Sequence, residues 1–217
     1  MKVQDDAREN QLIKLFELEQ PPNRGRSDTD AILNYKGQTF YFELKSTTKS
    51  SVTTVRDFGH DHLKKWKNKH WIIGFYDNHA ELKYCHYASP KDMSNWIQEK
   101  EEYIRGDFKL AELVPDLINM KVMYKIVGEK NYYTLEDAKK IQKRQYNNEK
   151  YLNLMDLNHG YSPQRMLEII RERCEYVISR GATLNNPHIP ASYFRGWEKI
   201  IDNYASKLRQ LLDKSLC

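Results

Sequence analysis

Two acidic side chains and a lysine stand on either side of a glycine turn signal near the start of the sequence. Asp30 precedes the apolar residues of one predicted strand, and Gly37 marks the turn that follows. Glu43 and Lys45 end the next predicted strand, where the alternation of side chains directs both to the same side. A hairpin at this turn therefore brings Asp30 back beside Glu43, with the Lys45 ammonium next to both carboxylates.

The chemistry that this group of side chains suits is metal-assisted hydrolysis of a phosphodiester. Two adjacent carboxylates offer the hard oxygen ligands that Mg²⁺ prefers. A lysine beside them supplies a compact positive charge for a water nucleophile or a phosphate oxygen. The alternating residues Phe40, Phe42 and Leu44 are expected to point the opposite way, into a core.

The tripeptide acid-x-Lys is common, and only the predicted structure around each occurrence distinguishes one of them as a candidate site. It occurs at 43–45, 81–83, 107–109 and 137–139. Asp137 lies in a helical pattern, where residues i and i+2 face apart, and Asp107 follows Gly106 in an expected loop. Glu81 begins a strand but has no acid one hairpin earlier, whereas Glu43 has one. The alternative for Glu43 is an exposed ion pair on an amphipathic surface hairpin.

The pattern Asp30…Glu43-x-Lys45 resembles the PD-(D/E)xK nuclease superfamily, the fold of many type II restriction endonucleases. The resemblance covers about residues 5–90. A threonine precedes the first acid where the superfamily has a proline. Asp28 competes with Asp30 for the first acidic position, and Asp30 is preferred because it directly precedes an apolar run.

The resemblance implies a role for each of these side chains and for one more. Asp30 and Glu43 would bind Mg²⁺ together with the carbonyl oxygen of Leu44. Lys45 would orient or deprotonate the attacking water and stabilise the charge that develops on the phosphate. Glu9, on the predicted first helix, would be a further catalytic acid near the metal; its alternative is an ordinary exposed glutamate. Such cleavage leaves 5′-phosphate and 3′-hydroxyl ends.

The elements that must position these residues are predicted in the order helix, strand, strand, helix, strand, strand. We expect an α/β fold, a restriction-endonuclease-like mixed sheet flanked by helices. A single nuclease domain would combine a catalytic α/β core at about 5–127 with a mostly helical recognition or dimerisation part at about 128–217. Hydrophobic periodicity and the positions of turn and capping residues predict helices at 5–19, 55–68, 90–105, 134–146, 163–180 and 191–214. They also predict strands at 71–76 and 82–87, and they leave open whether 122–127 is a strand.

Composition and charge favour a globular protein with a nucleic-acid partner. The net charge is +5 and the pI is near 8.9, and basic residues concentrate at 45–70 and 121–150. Such runs favour a phosphate backbone, although a solvated lysine face is the commoner alternative. Apolar runs are too short for a membrane span, the start lacks a signal region, and three cysteines have no paired spacing. We therefore expect a cytoplasmic protein with free thiols.

Basic and amide side chains that could contact double-stranded DNA fall in several places. They lie in the loop before Asp30, on the predicted helix at 55–68, and in two Arg- and Asn-rich loops at 144–148 and 180–188. The candidates are Arg24, Arg26, Lys64, Lys65, Arg144, Asn147, Arg180, Asn185, Asn186 and His188. The alternative for the Asn-rich loops is ordinary turns.

Together these features predict a Mg²⁺-dependent, sequence-specific double-stranded DNA endonuclease of the type II restriction class. A homodimer is expected, because a twofold axis relates two active sites to the two strands of a palindrome. The apolar stripe at 191–214 is either core or a dimer interface. Two alternatives stay open, a repair or structure-specific DNA nuclease of the same fold and a non-catalytic nucleic-acid-binding protein.

Overall fold

The structure is a computed structural model that describes residues 2–22, 29–183 and 185–216. Within them the helices are α1 (Lys2–Phe16), α2 (His60–Trp66), α3 (Pro90–Leu117), α4 (Met120–Val127), α5 (Leu135–Gln142), α6 (Asn148–Asn153), α7 (Pro163–Ala182), α8 (Ala191–Phe194) and α9 (Tyr204–Leu216). The strands are β1 (Ala31–Tyr35), β2 (Gln38–Thr47), β3 (Val52–Thr53), β4 (His70–Tyr76), β5 (Leu82–Ala88), β6 (Tyr133–Thr134), β7 (Gly160–Tyr161), β8 (His188–Ile189) and β9 (Glu198–Ile200). The chain divides into two compact units, the first Met1–Glu102 with Asn185–Cys217 and the second Tyr103–Leu184.

The main sheet of the first unit contains five described strands in the order β1-β2-β4-β5-β9. Strands β2 and β4 are parallel, and the other neighbours are antiparallel. The connection from β2 to β4 contains α2, because parallel neighbours need a long crossover. The predicted α/β class with a mixed sheet is therefore confirmed.

The predicted hairpin is formed by β1 and β2. Tyr35 pairs with Gln38, so the loop consists of Lys36 and Gly37. Both loop residues have positive φ, 49° and 77°, which is the backbone of a type I′ turn. This turn twists in the same sense as the two strands it joins, and the glycine adopts its positive φ without a Cβ clash.

The alternation of β2 separates the two faces of the sheet. Phe40, Phe42 and Leu44 face the core as predicted, where α1 and α9 cover them. Other buried members of this core are Leu12, Phe16, Leu33, Ile72, Leu208 and Leu212. On the opposite face, Trp71 of β4 packs edge-on against Trp66 of α2, with ring centroids 5.2 Å apart. This second face is the one that carries Glu43, the register partner of Trp71.

The second unit is mainly helical in the residues that the structure describes. Its buried core is built from Met123, Tyr133, Ala138, Tyr151, Tyr161, Met166, Leu167, Ile169 and Ile170. Each of four helices begins at a side chain that accepts from a backbone N–H three residues later. These N-caps are Asn119, Thr134, Asn147 and Ser162.

Two segments of the second unit differ from the predictions. Residues 122–127 lie in helix α4 and not in a strand, because Asn119 caps a helix in which Met123 is buried on one side. Helix α3 continues through Gly106 to Leu117. A glycine costs a helix interior only about 1 kcal/mol relative to alanine, so flanking helix formers can carry the helix through it.

The C-terminal segment also differs from the single helix predicted at 191–214. It forms the short helix α8, the edge strand β9 and the helix α9. In β9, Ile200 pairs with Cys85 of β5. The apolar stripe of α9 lies in the core through Leu208 and Leu212. No helix in the described ranges has the length and apolar composition that crossing a membrane requires.

Candidate active site

Asp30 and Glu43 lie side by side at the open end of the hairpin. The strand register pairs Ala31 with Phe42, and one step further Asp30 comes opposite Glu43. The Asp30 N–H donates to the Phe42 carbonyl over 3.1 Å. Oδ2 of Asp30 accepts from the Leu44 N–H over 2.8 Å. The backbone hydrogen bonds between the two strands thus fix the position of one carboxylate relative to the other. Both carboxylates are buried.

Lys45 joins the two carboxylates. Its Nζ lies 2.7 Å from Oε1 of Glu43 and 3.7 Å from Oδ2 of Asp30. The Lys45 side chain is 18% exposed, more than those of Asp30 and Glu43, so it is the most accessible of the three. The structure thus brings together the three side chains that the sequence selected.

A second lysine, which the sequence reasoning missed, completes this group. Nζ of Lys69 lies 2.7 Å from Oε2 of Glu43, and the Lys69 side chain is only 6% exposed. Lys69 directly precedes β4, the parallel neighbour of β2. Its one signal in the sequence is its place as the last lysine of the basic run, immediately before a buried strand. Asp30, Glu43, Lys45 and Lys69 together carry no net formal charge.

The charges of this group shift the pKa values of Glu43 and Lys45. Burial alone would raise the pKa of Glu43, but the ammonium groups of Lys45 and Lys69 lower it below its ordinary value. Burial alone would lower the pKa of Lys45, but the carboxylates of Glu43 and Asp30 raise it above the usual range. Glu43 is therefore ionised and Lys45 is an ammonium, a hydrogen-bond donor, at neutral pH.

A cleft of about 260 Å³ opens beside Lys45. Glu9 of α1 lines it, and so do Ser46 of β2 and Thr53 of β3. The predicted further acid therefore lies near the lysine, and its charge contributes to the raised pKa of Lys45. In the described ranges, however, no group of three or more His, Cys, Asp and Glu side chains is placed to bind one metal ion.

A larger cleft of about 480 Å³ lies on the same face of the sheet. Tyr41, Lys65 and Lys69 are among its lining residues. The Tyr41 side chain is half-exposed, and it stands two residues before Glu43 on the same face of β2. Lys64 and Lys65 are exposed on α2, so both predicted DNA contacts of this helix are accessible.

The other acid-x-Lys tripeptides lack this convergence. Glu81 and Lys83 are both exposed. Asp137 forms a capping box at the start of α5 and pairs with Lys130 at 2.9 Å. Asp107 is exposed on helix α3, not in the expected loop.

The predicted DNA contacts in the second unit already have local partners. Nη2 of Arg144 lies 3.6 Å from a carboxylate oxygen of Glu136. The Asn147 side chain caps α6 by accepting from a backbone N–H over 2.7 Å. Nη1 of Arg180 donates to Oγ1 of Thr183 over 3.1 Å. The Asn147 side chain is therefore occupied as an N-cap, whereas the guanidinium groups of both arginines remain at the surface.

Three predicted DNA contacts of the first unit lie at 185–188, the segment that leads into β8. His188 is exposed on β8, which pairs with β3, and Asn186 is also exposed. The Asn185 carbonyl accepts from the Phe58 N–H over 3.4 Å. Two further predicted contacts and the competing first acid lie outside the described residues; these are Arg24, Arg26 and Asp28.

Geometry, and not a known relative, carries any assignment of function to this site. No protein-family model matches the chain, and no curated protein matches it in sequence.

Proposed function

We propose that this chain is a Mg²⁺-dependent, sequence-specific double-stranded DNA endonuclease of the type II restriction class. The observation that carries the proposal is the convergence of Asp30, Glu43 and Lys45, with Lys45 Nζ 2.7 Å and 3.7 Å from the two carboxylates. The proposal includes the restriction-endonuclease-like fold of the PD-(D/E)xK superfamily and a cytoplasmic location. The mixed sheet with the acids on a hairpin is consistent with that fold.

The donor atoms at the site suit a magnesium ion. Asp30 and Glu43 offer buried carboxylate oxygens, the hard ligands that Mg²⁺ takes. The N–H and C=O of one residue in an antiparallel strand face the same neighbouring strand. Because the Leu44 N–H bonds to Asp30, the Leu44 carbonyl also faces that side and would be the third oxygen ligand. When bound, the ion would supply Lewis-acid stabilisation of the charge on the phosphate.

The lysines supply hydrogen-bond donors and charge balance. Lys45 lines the cleft, where its ammonium can donate to an attacking water or to a non-bridging phosphate oxygen. Lys69 is buried behind Glu43 and holds its second oxygen. With Glu43 held by an ammonium on each oxygen, its carboxylate is oriented before substrate arrives, which lowers the reorganisation needed for catalysis.

Charge on the same unit favours a nucleic-acid substrate. Residues 45–70 contain seven basic and two acidic residues, a net charge of +5. Lys64 and Lys65 of this run are exposed on α2, the helix that precedes Lys69. A basic surface beside buried acids attracts a phosphate backbone and steers it towards the site.

Digestion of supercoiled plasmid DNA tests the proposal. Purified protein is incubated with plasmid in Mg²⁺, with a matched reaction containing EDTA. Discrete linear bands that EDTA abolishes support a restriction enzyme. Nicking or smearing favours a repair or structure-specific nuclease, and DNA retardation without cutting favours a non-catalytic binding protein. Cleavage that persists in EDTA would contradict the metal requirement.

A further inference from the structure

We propose that helix α3 pairs antiparallel with α3 of a second copy of this chain. Large apolar side chains stand on its solvent side at Tyr103, Leu110, Leu113 and Leu117, which are 71%, 53%, 53% and 75% exposed. The proposal identifies a surface for the homodimer that the proposed function requires, and its test uses no DNA. We call these four residues and Gly106 the α3 stripe.

The spacing of the α3 stripe is that of a helix-pairing seam. Tyr103, Leu110 and Leu117 are separated by seven residues each, and Gly106 and Leu113 stand three residues after the first two. These are the a and d positions of a heptad. Four exposed apolar residues in register form a contiguous patch, which on a protein surface marks an interaction site.

The other side of the same helix is already packed. Ile104 and Ala111 are buried, and Pro115 is buried too. These residues repeat at helical spacing on the side away from the α3 stripe. The helix therefore uses one side within its own chain and leaves a second apolar side facing solvent.

The α3 stripe is complementary to itself when two copies run antiparallel. Alignment of a with d positions sets Leu110 against Leu113 of the second copy, and the twofold axis repeats that contact. The same alignment sets Leu117 against Gly106 of the second copy. A Cβ at Gly106 would meet no atom within 4 Å, so the surface there is open and can receive the leucine.

Charges beside the α3 stripe favour this direction and this occupant. Lys109 and Asp116 occupy g positions, and the antiparallel alignment sets each against the other in the second copy. A parallel alignment would instead set Glu102 against Asp107, two like charges. Residues 102–117 contain four acids and two bases. A surface with excess negative charge repels DNA, and the pairing of Lys109 with Asp116 across the twofold axis makes a second copy of the chain the complementary occupant.

Sedimentation velocity of the full chain tests the surface. Wild-type protein is expected to sediment as a dimer at micromolar concentration. The variant Leu110→Glu/Leu113→Glu is expected to sediment as a monomer, because two charges would enter each apolar layer. Ile201→Glu is the matched control, since Ile201 is 62% exposed in the first unit. Far-UV circular dichroism establishes that each variant is folded. A monomeric wild type, or a dimeric stripe variant, would overturn the proposal.

A charge exchange tests the antiparallel direction separately. Lys109→Glu is expected to raise the dimer dissociation constant roughly tenfold, because two attractive contacts become repulsive. Lys109→Glu/Asp116→Lys is expected to restore the wild-type constant. An exchange that fails to restore dimerisation rejects the antiparallel alignment.

The proposed interface and the proposed nuclease activity can fail separately. A monomeric wild type that cleaves DNA would reject the α3 interface but not the proposed nuclease activity. A dimeric wild type that never cleaves DNA would reject the nuclease activity but not the interface.

Discussion

The buried ammonium of Lys69 lies 2.7 Å from Oε2 of Glu43, while Lys45 contacts Oε1 of the same carboxylate. One glutamate thus lies between two lysines, Lys45 in β2 and Lys69 immediately before β4, the parallel neighbour of β2. The arrangement fixes the direction of the Glu43 oxygens and balances the charges of the two buried acids. It gives Lys69 a role at the site although the residue stands 26 positions along the chain from Glu43.

Replacing Lys69 tests that role. In Lys69→Met we expect cleavage at saturating Mg²⁺ to fall about 10–100-fold, because Glu43 loses the partner that orients it. The Mg²⁺ concentration for half-maximal cleavage is expected to fall as well, since the site loses one positive charge. Both are read from a Mg²⁺ titration of cleavage rate. Lys67→Met is the control, because Lys67 is an exposed neighbour paired with Glu101. An unchanged rate and midpoint in Lys69→Met would remove Lys69 from the site.

Neutralising either acid tests the proposed metal ligands. Asp30→Asn and Glu43→Gln keep side-chain size, and we expect each to lower the Mg²⁺-dependent cleavage rate by at least about 10²-fold. Glu81→Gln/Lys83→Met alters the same tripeptide on exposed positions and is expected to cleave like wild type. Full activity in Glu43→Gln would contradict the assigned site, and an inactive Glu81/Lys83 variant would indicate the wrong strand.

Buried His70 makes stability depend on pH. Burial lowers the pKa of His70 to about 4, against about 6.5 in the unfolded chain. The unfolded state binds the extra proton between these values, so the free energy of unfolding is highest above pH 6.5 and falls as the pH drops towards 4. The shift corresponds to about 3 kcal/mol.

A paired variant isolates the contribution of His70. His70 Nδ1 lies 2.7 Å from the Tyr87 hydroxyl, so His70→Phe/Tyr87→Phe removes the histidine without leaving that hydroxyl unpaired. Urea unfolding between pH 4 and 7 should show a shallower pH dependence in this variant than in wild type. Equal slopes would mean that His70 is not buried in its neutral form.

The hairpin that carries Asp30 and Glu43 was predictable because its determinants are local. The alternation of Phe40, Phe42 and Leu44 against Glu43 fixes which side chains face the core, and Gly37 marks a turn whose backbone needs positive φ. A two-residue loop then sets the register that brings Asp30 opposite Glu43. Each step depends on neighbours in the sequence, so each could be derived before the structure.

Features that depend on distant pairing were not predictable. Lys69 contacts Glu43 only because β4 lies parallel to β2, and local sequence patterns do not indicate which strands are neighbours in a sheet. Strand β9 is three residues long, and β5 holds it as an edge strand. The segment at 122–127 has enough apolar residues for a strand, but the Asn119 cap and packing in the second unit make it helical. Tertiary context overrides propensity in such short segments.

Cleavage and binding measured together for Lys45→Ala test the central claim most directly. A fluorescent duplex that wild type cuts is followed under single-turnover conditions in Mg²⁺, and binding of the same duplex is measured in EDTA. We expect the cleavage rate to fall by about 10²–10⁴-fold, while the dissociation constant for DNA stays close to that of wild type. Cleavage at the wild-type rate by Lys45→Ala would contradict the hydrolytic role of the group formed by Asp30, Glu43 and Lys45.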